Sequence, residues 1–189
     1  MELAIIPVNA NNGGMLTLEI PKSDPTGYGD IFKDRVYEPV STLLPAKLSA
    51  WREAGSSNES NYEGGIERAA QFLGPASTRT LAIIGDMEHY VKSERRRVTD
   101  GFPGVPTFAD SKLDLTGATV FMGIVEGNSG KPSARFLAQW QKAFEGAHVK
   151  ELCVSKYGLD GFKDWCAQKL GPTNPAFEKW ARQKGVAIR

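Results

Sequence analysis

The sequence has too few cysteines and histidines for several common functional sites. It contains two cysteines, Cys153 and Cys166, which are far apart and form no CxxC motif. It contains two histidines, His89 and His148, which are equally scattered. This composition excludes a zinc site built from these residue types. We expect both cysteines to be small, buried thiols in a reducing compartment.

Motifs that identify common catalytic sites are also absent. The chain has no G-x-S-x-G, no Walker A motif and no G-x-G-x-x-G. With 23 Lys+Arg against 22 Asp+Glu, its net charge of +1 gives no general reason to expect nucleic acid. No apolar run approaches the roughly 20 residues of a transmembrane helix, and the N-terminus has no basic signal-peptide region. We therefore predict a soluble, cytoplasmic protein without a membrane partner.

One stretch, TLAIIGDMEHY at 80–90, has the pattern of a buried strand that ends at an acidic residue. A short apolar run is typical of a strand covered on both faces of a parallel sheet. Asp86 follows this run directly, where such a strand leaves the sheet at its carboxyl end. In open α/β sheets that edge carries the ligand sites. Asp86 is therefore either a functional residue or the cap of a turn or helix.

Strand and helix patterns alternate along the rest of the chain. Together they predict an α/β fold: a Rossmann-like, open, mostly parallel sheet with helices on both faces and one antiparallel edge hairpin. Residues 1–189 are expected to form a single domain. The predicted strands are 3–9, 15–20, 80–85, 118–125 and 149–154, and the predicted helices are 30–54, 62–73, 133–145, 159–170 and 176–184.

Two helical segments carry particular expectations. Apolar residues recur at helical spacing in 30–54, which Pro39 and Pro45 should break or kink, and we interpret this stripe as core. Segment 62–73 should start at a cap provided by Ser60 or Asn61. The stripe in the first segment consists of Val36, Val40, Leu43, Leu44, Leu48 and Trp51.

The order of elements and several local patterns resemble the von Willebrand factor A family, in its bacterial, plasmid- or phage-associated branch. LAIIPVN and MLTLEI resemble the family's second and third strands, and TLAIIGDMEHY its fourth, whose closing aspartate completes a metal site. SNYEGGIERAA at 60–70 is similar to the loop and helix that carry the metal-binding threonine. FLAQWQKAFEGA resembles a later helix of that branch. On this resemblance Ser60 and Asp86 are the metal ligands.

The chain departs from the family at its main metal motif. D-x-S-x-S, which supplies most ligands, occurs nowhere in the sequence, and the first strand and helix of the fold have no counterpart in it. On this resemblance the chain is either a truncated or misannotated gene product or a degenerate member. The resemblance therefore implies a non-catalytic protein-interaction module with a degenerate metal site. Mg²⁺ is the metal considered, but we expect no cofactor, because two isolated oxygens do not displace its waters. A missing strand also predicts self-association or a missing partner segment.

Two other functions remain open from the sequence. A metal-dependent phosphoesterase or nuclease could use Asp86, Glu88, His89 and Glu126 at one sheet edge. A basic docking surface could form from Lys92 and the run Arg95–Arg97, although such runs are usually solvated helix faces. The expected partner is a protein, including a second copy of this chain, and nucleic acid is not expected. The predicted partner-binding residues are Asn61, Glu88, Glu126, Arg95, Arg96 and Arg97.

Overall fold

The protein consists of two compact units. The first comprises residues 1–5, 15–54 and 164–189, and the second comprises residues 6–14 and 55–163. The expectation of one domain over 1–189 stays a prediction. The structure, a computed structural model, describes residues 2–8, 15–19, 38–54, 60–75, 79–91, 105–106, 108, 113–127, 130–155, 158, 160–170, 179 and 182–183.

The first unit contains a two-stranded antiparallel sheet. Its strands are β1, Glu2–Ile5, and β2, Leu16–Glu19, with Ile5 opposite Leu16. The predicted antiparallel pairing is confirmed. In the described part of the chain, however, these strands pair only with each other and form a sheet of their own. The expectation that they form the edge of the parallel sheet is therefore wrong, because strand patterns do not encode which strands become neighbours.

The first unit also contains the long helix α1, Glu38–Ala54. The helix continues through Pro45, so the chain is not broken there, and the alternative of a kink stays a prediction. Leu43 and Leu48 are 49% and 52% exposed, which contradicts their assignment to the core. An apolar stripe shows that a helix is amphipathic, but it does not show that the stripe is covered. Residues 30–37 of the predicted helix, with Val36, lie outside the described residues.

The second unit contains a three-stranded parallel sheet. Its strands are β3, Thr80–Gly85, β4, Thr119–Ile124, and β5, Glu151–Ser155, in the order β3-β4-β5. Thr80 pairs with Thr119, and the register continues without interruption to Gly85 and Ile124. The prediction that the strands near 80–85 and 119–125 are parallel neighbours is confirmed. Together, the two sheets and the helices make a mixed α/β fold.

β4, and not β3, is the central strand of this sheet. Among the described strands, β3 has a neighbour on one side only. Ile84 is 46% exposed and Ala82 is also exposed, whereas every residue of β4 after Thr119 is buried. The interpretation of 80–85 as a strand buried on both faces is therefore wrong. Its apolar residues cover the core on one face and meet solvent on the other.

Two helices of the second unit begin and end close to the predicted positions. α2 spans Tyr62–Leu73 and α3 spans Ala134–Gly146. Ser133 caps α3, because its hydroxyl oxygen accepts a hydrogen bond of 3.1 Å from the Phe136 N–H. Such side-chain acceptors satisfy the unpaired N–H groups of the first helical turn.

The core of the second unit joins these helices to one face of the sheet. Trp140 and Phe144 of α3 are fully buried, with ring centroids 6.0 Å apart, so their predicted packing in the core is confirmed. Phe121 of β4 contacts Phe162 at 4.9 Å between ring centroids. Phe162 begins the helix α4, Phe162–Leu170, of which residues 164–170 belong to the first unit. The main core side chains are Tyr62, Ile66, Ala70, Ile83, Met87, Val120, Met122, Ile124, Phe136, Leu137, Trp140 and Phe144.

Candidate functional site

The carboxyl end of β3 carries a hydrogen-bonded turn centred on Asp86. The Tyr62 hydroxyl donates to Asp86 Oδ1 at 3.0 Å, and the Glu88 N–H donates to the same oxygen at 2.9 Å. An aspartate that accepts from the N–H two residues later stabilises a turn. Asp86 thus lies at the predicted edge, and one of its carboxylate oxygens already has two protein donors.

Tyr62 connects helix α2 to this turn. Its side chain is 4% exposed, and its hydroxyl oxygen also accepts from the Met87 N–H at 3.0 Å. Burial, followed by the nearby charge of Asp86, raises the pKa of the Tyr62 hydroxyl well above its ordinary value. A Cβ at Gly85 would lie 2.1 Å from this hydroxyl oxygen. Glycine at the end of β3 is therefore what allows the phenol to reach Asp86.

Met87 has a backbone conformation that is rare for residues other than glycine. Its φ angle is +60°, and its side chain is fully buried. Its N–H is bonded to Tyr62, and its carbonyl accepts from the Trp140 indole N–H at 3.1 Å. Such a conformation costs free energy, and it persists where surrounding contacts determine it. The two aromatic side chains therefore fix the turn that presents Asp86 and Glu88.

The start of helix α2 is attached to the segment that follows this turn. The main chains of Ser60 and Tyr90 exchange hydrogen bonds of 2.8 and 2.9 Å. Asn61 is the helix cap, since its side-chain oxygen accepts from the Gly64 N–H at 2.8 Å. Of the two predicted caps, the structure thus uses Asn61.

His89 also binds the start of α2. Its Nδ1 accepts a hydrogen bond of 3.4 Å from the Glu63 N–H, one of the donors that a helix leaves unpaired in its first turn. The ring is only 2% exposed. Because Nδ1 accepts this hydrogen bond, a neutral His89 ring carries its proton on Nε2. His89 therefore has a structural role in joining the turn to the helix.

The loop after β4 lies against the turn that carries Asp86 and Glu88. A Cβ at Gly127 would lie 2.5 Å from both Asp86 Cβ and Glu88 Oε1, so the backbone there contacts the two acidic residues directly. The Gly130 N–H donates to the Gly127 carbonyl at 3.1 Å. Glu126, one residue earlier, is exposed.

The structure brings most of the predicted site residues to this edge. Ser60 and Asn61 lie at the start of α2, Asp86 and Glu88 in the turn, and Glu126 beside Gly127. Asn61 is half-buried and Glu88 is 9% exposed, which leaves Glu126 as the most accessible acid of the set. Lys92 and Arg95–Arg97 lie outside the described residues. No sequence pattern indicates the hydrogen-bonding roles of Tyr62 and Trp140.

The described part of the chain offers few ligands for a metal ion. It contains no group of three or more His, Cys, Asp or Glu side chains that could hold one. Asp86 Oδ1 also accepts a hydrogen bond from the Tyr62 hydroxyl. Hard divalent cations bind through several oxygen ligands, and the described residues at this edge bring few of them together.

The fold and this edge define a mixed α/β protein with a hydrogen-bonded, acidic turn at the carboxyl end of β3, beside the loop that follows β4. Comparison with protein-family models, curated proteins and solved structures finds no match for the chain. In the described residues, no helix is long and apolar enough to cross a membrane.

Proposed function

We propose that the protein is a non-catalytic protein-interaction module of the von Willebrand factor A type, with a degenerate metal-ion-dependent adhesion site. One observation carries the proposal: the two segments that the family resemblance assigns to the site, the start of α2 at Ser60 and the turn at Asp86, meet at one sheet edge. The loop at Gly127 contacts the same turn. Binding modules present such loops from a rigid scaffold.

The metal site of this module is degenerate in our proposal. Asp86 Oδ1 accepts two hydrogen bonds from the protein, and D-x-S-x-S is absent from the sequence. The Tyr62 O–H and the Glu88 N–H each point a partial positive charge at the Asp86 carboxylate. In our proposal these two donors replace the cation that binds this carboxylate in the family. The partner is then recognised without metal.

We further propose a Rossmann-like sheet with helices on both faces. The core cluster places α2 and α3 against the face formed by Ile83, Val120 and Met122. The contact between Phe121 and Phe162, which both belong to the second unit, supports a helical residue on the opposite face. In such sheets the carboxyl ends of the strands are the binding edge, which is where Asp86 and Glu126 lie.

The phosphoesterase alternative has less support. It needs Asp86, Glu88, His89 and Glu126 as metal ligands or bases at one edge. Asp86 accepts a hydrogen bond from the Tyr62 hydroxyl, and His89 Nδ1 accepts one from the backbone of α2. Glu88 is buried. Groups that already hold the fold together are poorly placed to exchange protons with a substrate.

Calorimetric titration with Mg²⁺ and Mn²⁺ tests the proposal on the wild type, Asp86→Ala and the control Asp164→Ala, an exposed carboxylate on α4. We expect no saturable heat at millimolar metal for any of the three proteins. Saturable heat that Asp86→Ala alone abolishes would mean that the site is an intact metal centre. The proposed degenerate site would then be wrong.

Partner binding is tested by affinity capture with wild type, Glu126→Lys and the control Glu145→Lys. Both glutamates are exposed, but Glu145 lies on α3 and not in the loop after β4. We expect bound proteins to be lost with Glu126→Lys and retained with Glu145→Lys. Equal capture by all three proteins would show that this edge does not recognise the partner.

A further inference from the structure

Among the described strands, β3 pairs only with β4, and we call the backbone groups of Thr80, Ala82 and Ile84 on its other side the free edge. The carbonyls of Arg79 and Gly85 accept hydrogen bonds of 2.9 Å from the N–H groups of Thr119 and Val125. Backbone groups alternate in direction along a strand, so those of the even-numbered residues in β3 point away from β4. No described strand pairs with that side.

The free edge lacks the features that usually prevent strand addition. Native edge strands are protected by charged side chains, prolines or bulges. β3 has the sequence TLAIIG, which contains no charge and no proline, and its register with β4 has no bulge. Ile84 remains 46% exposed beside this edge. A second extended, uncharged strand with an apolar face would pair with the backbone groups of this edge.

We propose that the free edge pairs antiparallel with the β3 strand of a second copy of this chain, with Ala82 opposite Ala82. Each Thr80 then lies opposite Ile84 of the other copy, and each Leu81 lies opposite Ile83. Opposite residues in an antiparallel pair share a face of the sheet. The faces of the two sheets that carry the core cluster therefore lie on the same side.

The register explains why a second copy suits this edge. The residues that point their N–H and C=O groups outward, Thr80, Ala82 and Ile84, meet only each other, so every outward group in the pairing has a partner. Leu81 and Ile83, which contact the core cluster, extend its apolar face across the new pair. No like charges approach, because the strand has none. This inference does not depend on the proposed function of the carboxyl edge.

The size of the contact determines the strength that we expect. A pairing between two strands of six residues is small compared with the roughly 1,200–2,000 Å² of a stable interface. The dimer should therefore be weak and form with increasing concentration. Sedimentation velocity over a wide concentration range should show a reversible monomer–dimer equilibrium, and a monomer at every concentration would overturn the proposal.

Two substitutions in β3 test whether this edge forms the dimer. Ala82→Pro removes an outward N–H without touching the hydrogen bonds to β4, and Ile84→Lys places a charge beside the edge. Each should weaken dimerisation by about tenfold or more. Leu48→Lys, at an exposed leucine on α1, is the matched control and should dimerise as the wild type does. Equal loss in the control, or no loss in either β3 variant with native circular dichroism, would overturn the proposal.

Cysteine cross-linking tests the register directly, in a background with Cys153 and Cys166 changed to serine. Opposite residues in a hydrogen-bonded antiparallel pair have Cα atoms about 5.5 Å apart, within disulfide range. Ala82→Cys should therefore form a covalent dimer on oxidation. Thr80→Cys lies opposite Ile84 and should not. Equal cross-linking of both variants, or of neither, would contradict the proposed pairing.

Discussion

The hydroxyl of Tyr62 donates a hydrogen bond of 3.0 Å to Asp86 and accepts one of 3.0 Å from the Met87 N–H. One buried phenol thus determines the position of a carboxylate and the conformation of the residue after it. The start of α2 and the end of β3 are joined through this side chain. The two segments that the candidate site needs together are held at a fixed distance.

We predict that Tyr62→Phe destabilises the protein although it removes a single oxygen. The change leaves the buried Met87 N–H without its acceptor and removes a donor from Asp86, which should cost about 1–3 kcal/mol of unfolding free energy. Tyr90→Phe is the matched control, because Tyr90 is 48% exposed and should change stability little. Urea denaturation of both variants measures the difference. Equal stability of the two would contradict the role assigned to Tyr62.

Stability should also fall in strong alkali because of Tyr62. Its folded-state pKa is raised by burial and by Asp86, above the value of about 10 in the unfolded chain. The folded state therefore keeps the proton longer, so this stabilisation is complete below about pH 10 and decreases as the pH rises further. The slope should reach about 1.4 kcal/mol per pH unit.

Denaturation at a series of pH values from 8 to 11 measures this slope in wild type and in Tyr62→Phe, which should lack the Tyr62 contribution. Tyr90→Phe serves again as the control and should keep the wild-type slope. If Tyr62→Phe loses stability with pH as steeply as the wild type, another group causes the decrease.

Local sequence patterns predicted the elements of the second unit well. Helix α2 begins at Tyr62 and ends at Leu73, as its apolar spacing and its capping residue indicated. Ile66, Ala69 and Ala70 face inward, because a helix repeats its faces every three to four residues. Information of this kind lies within a few neighbouring residues, so the sequence alone can provide it.

Relationships between distant segments were not predictable in the same way. The apolar run of β3 did not reveal its edge position, which depends on the strands that pair with it. Tyr62 and Asp86 are 24 residues apart, and their contact requires both the helix and the strand to be in place. The exposure of Leu43 and Leu48 is unpredictable for a similar reason. An apolar stripe in the sequence does not show which other segment packs against it.

Gly127 should be sensitive to even the smallest side chain. A Cβ there would lie 2.5 Å from Asp86 Cβ and from Glu88 Oε1, so Gly127→Ala must displace the turn or the loop. We expect a loss of about 1–3 kcal/mol, as for other overpacked sites. Gly146→Ala is the control, since a Cβ at that helix position meets nothing within 4 Å. Chemical denaturation compares them, and similar stabilities would show that the loop yields without cost.

The last prediction concerns Trp140, whose indole N–H donates to the Met87 carbonyl at 3.1 Å. Trp140→Ala removes a fully buried ring and should cost about 3–5 kcal/mol. Trp140→Phe keeps an aromatic ring but leaves that carbonyl without its donor, at a cost of about 1–3 kcal/mol.

The more specific consequence of Trp140→Phe is local. Met87 keeps its φ of +60° because its N–H and its carbonyl are both bonded, so loss of one bond should loosen the turn around Asp86. Hydrogen exchange of the Met87 and Glu88 amides should accelerate more than that of β4. Phe144→Leu is the control, because it removes a neighbouring core ring but neither of the hydrogen bonds of Met87. If both variants accelerate exchange equally across the turn and β4, Trp140 stabilises the core as a whole and does not hold the turn.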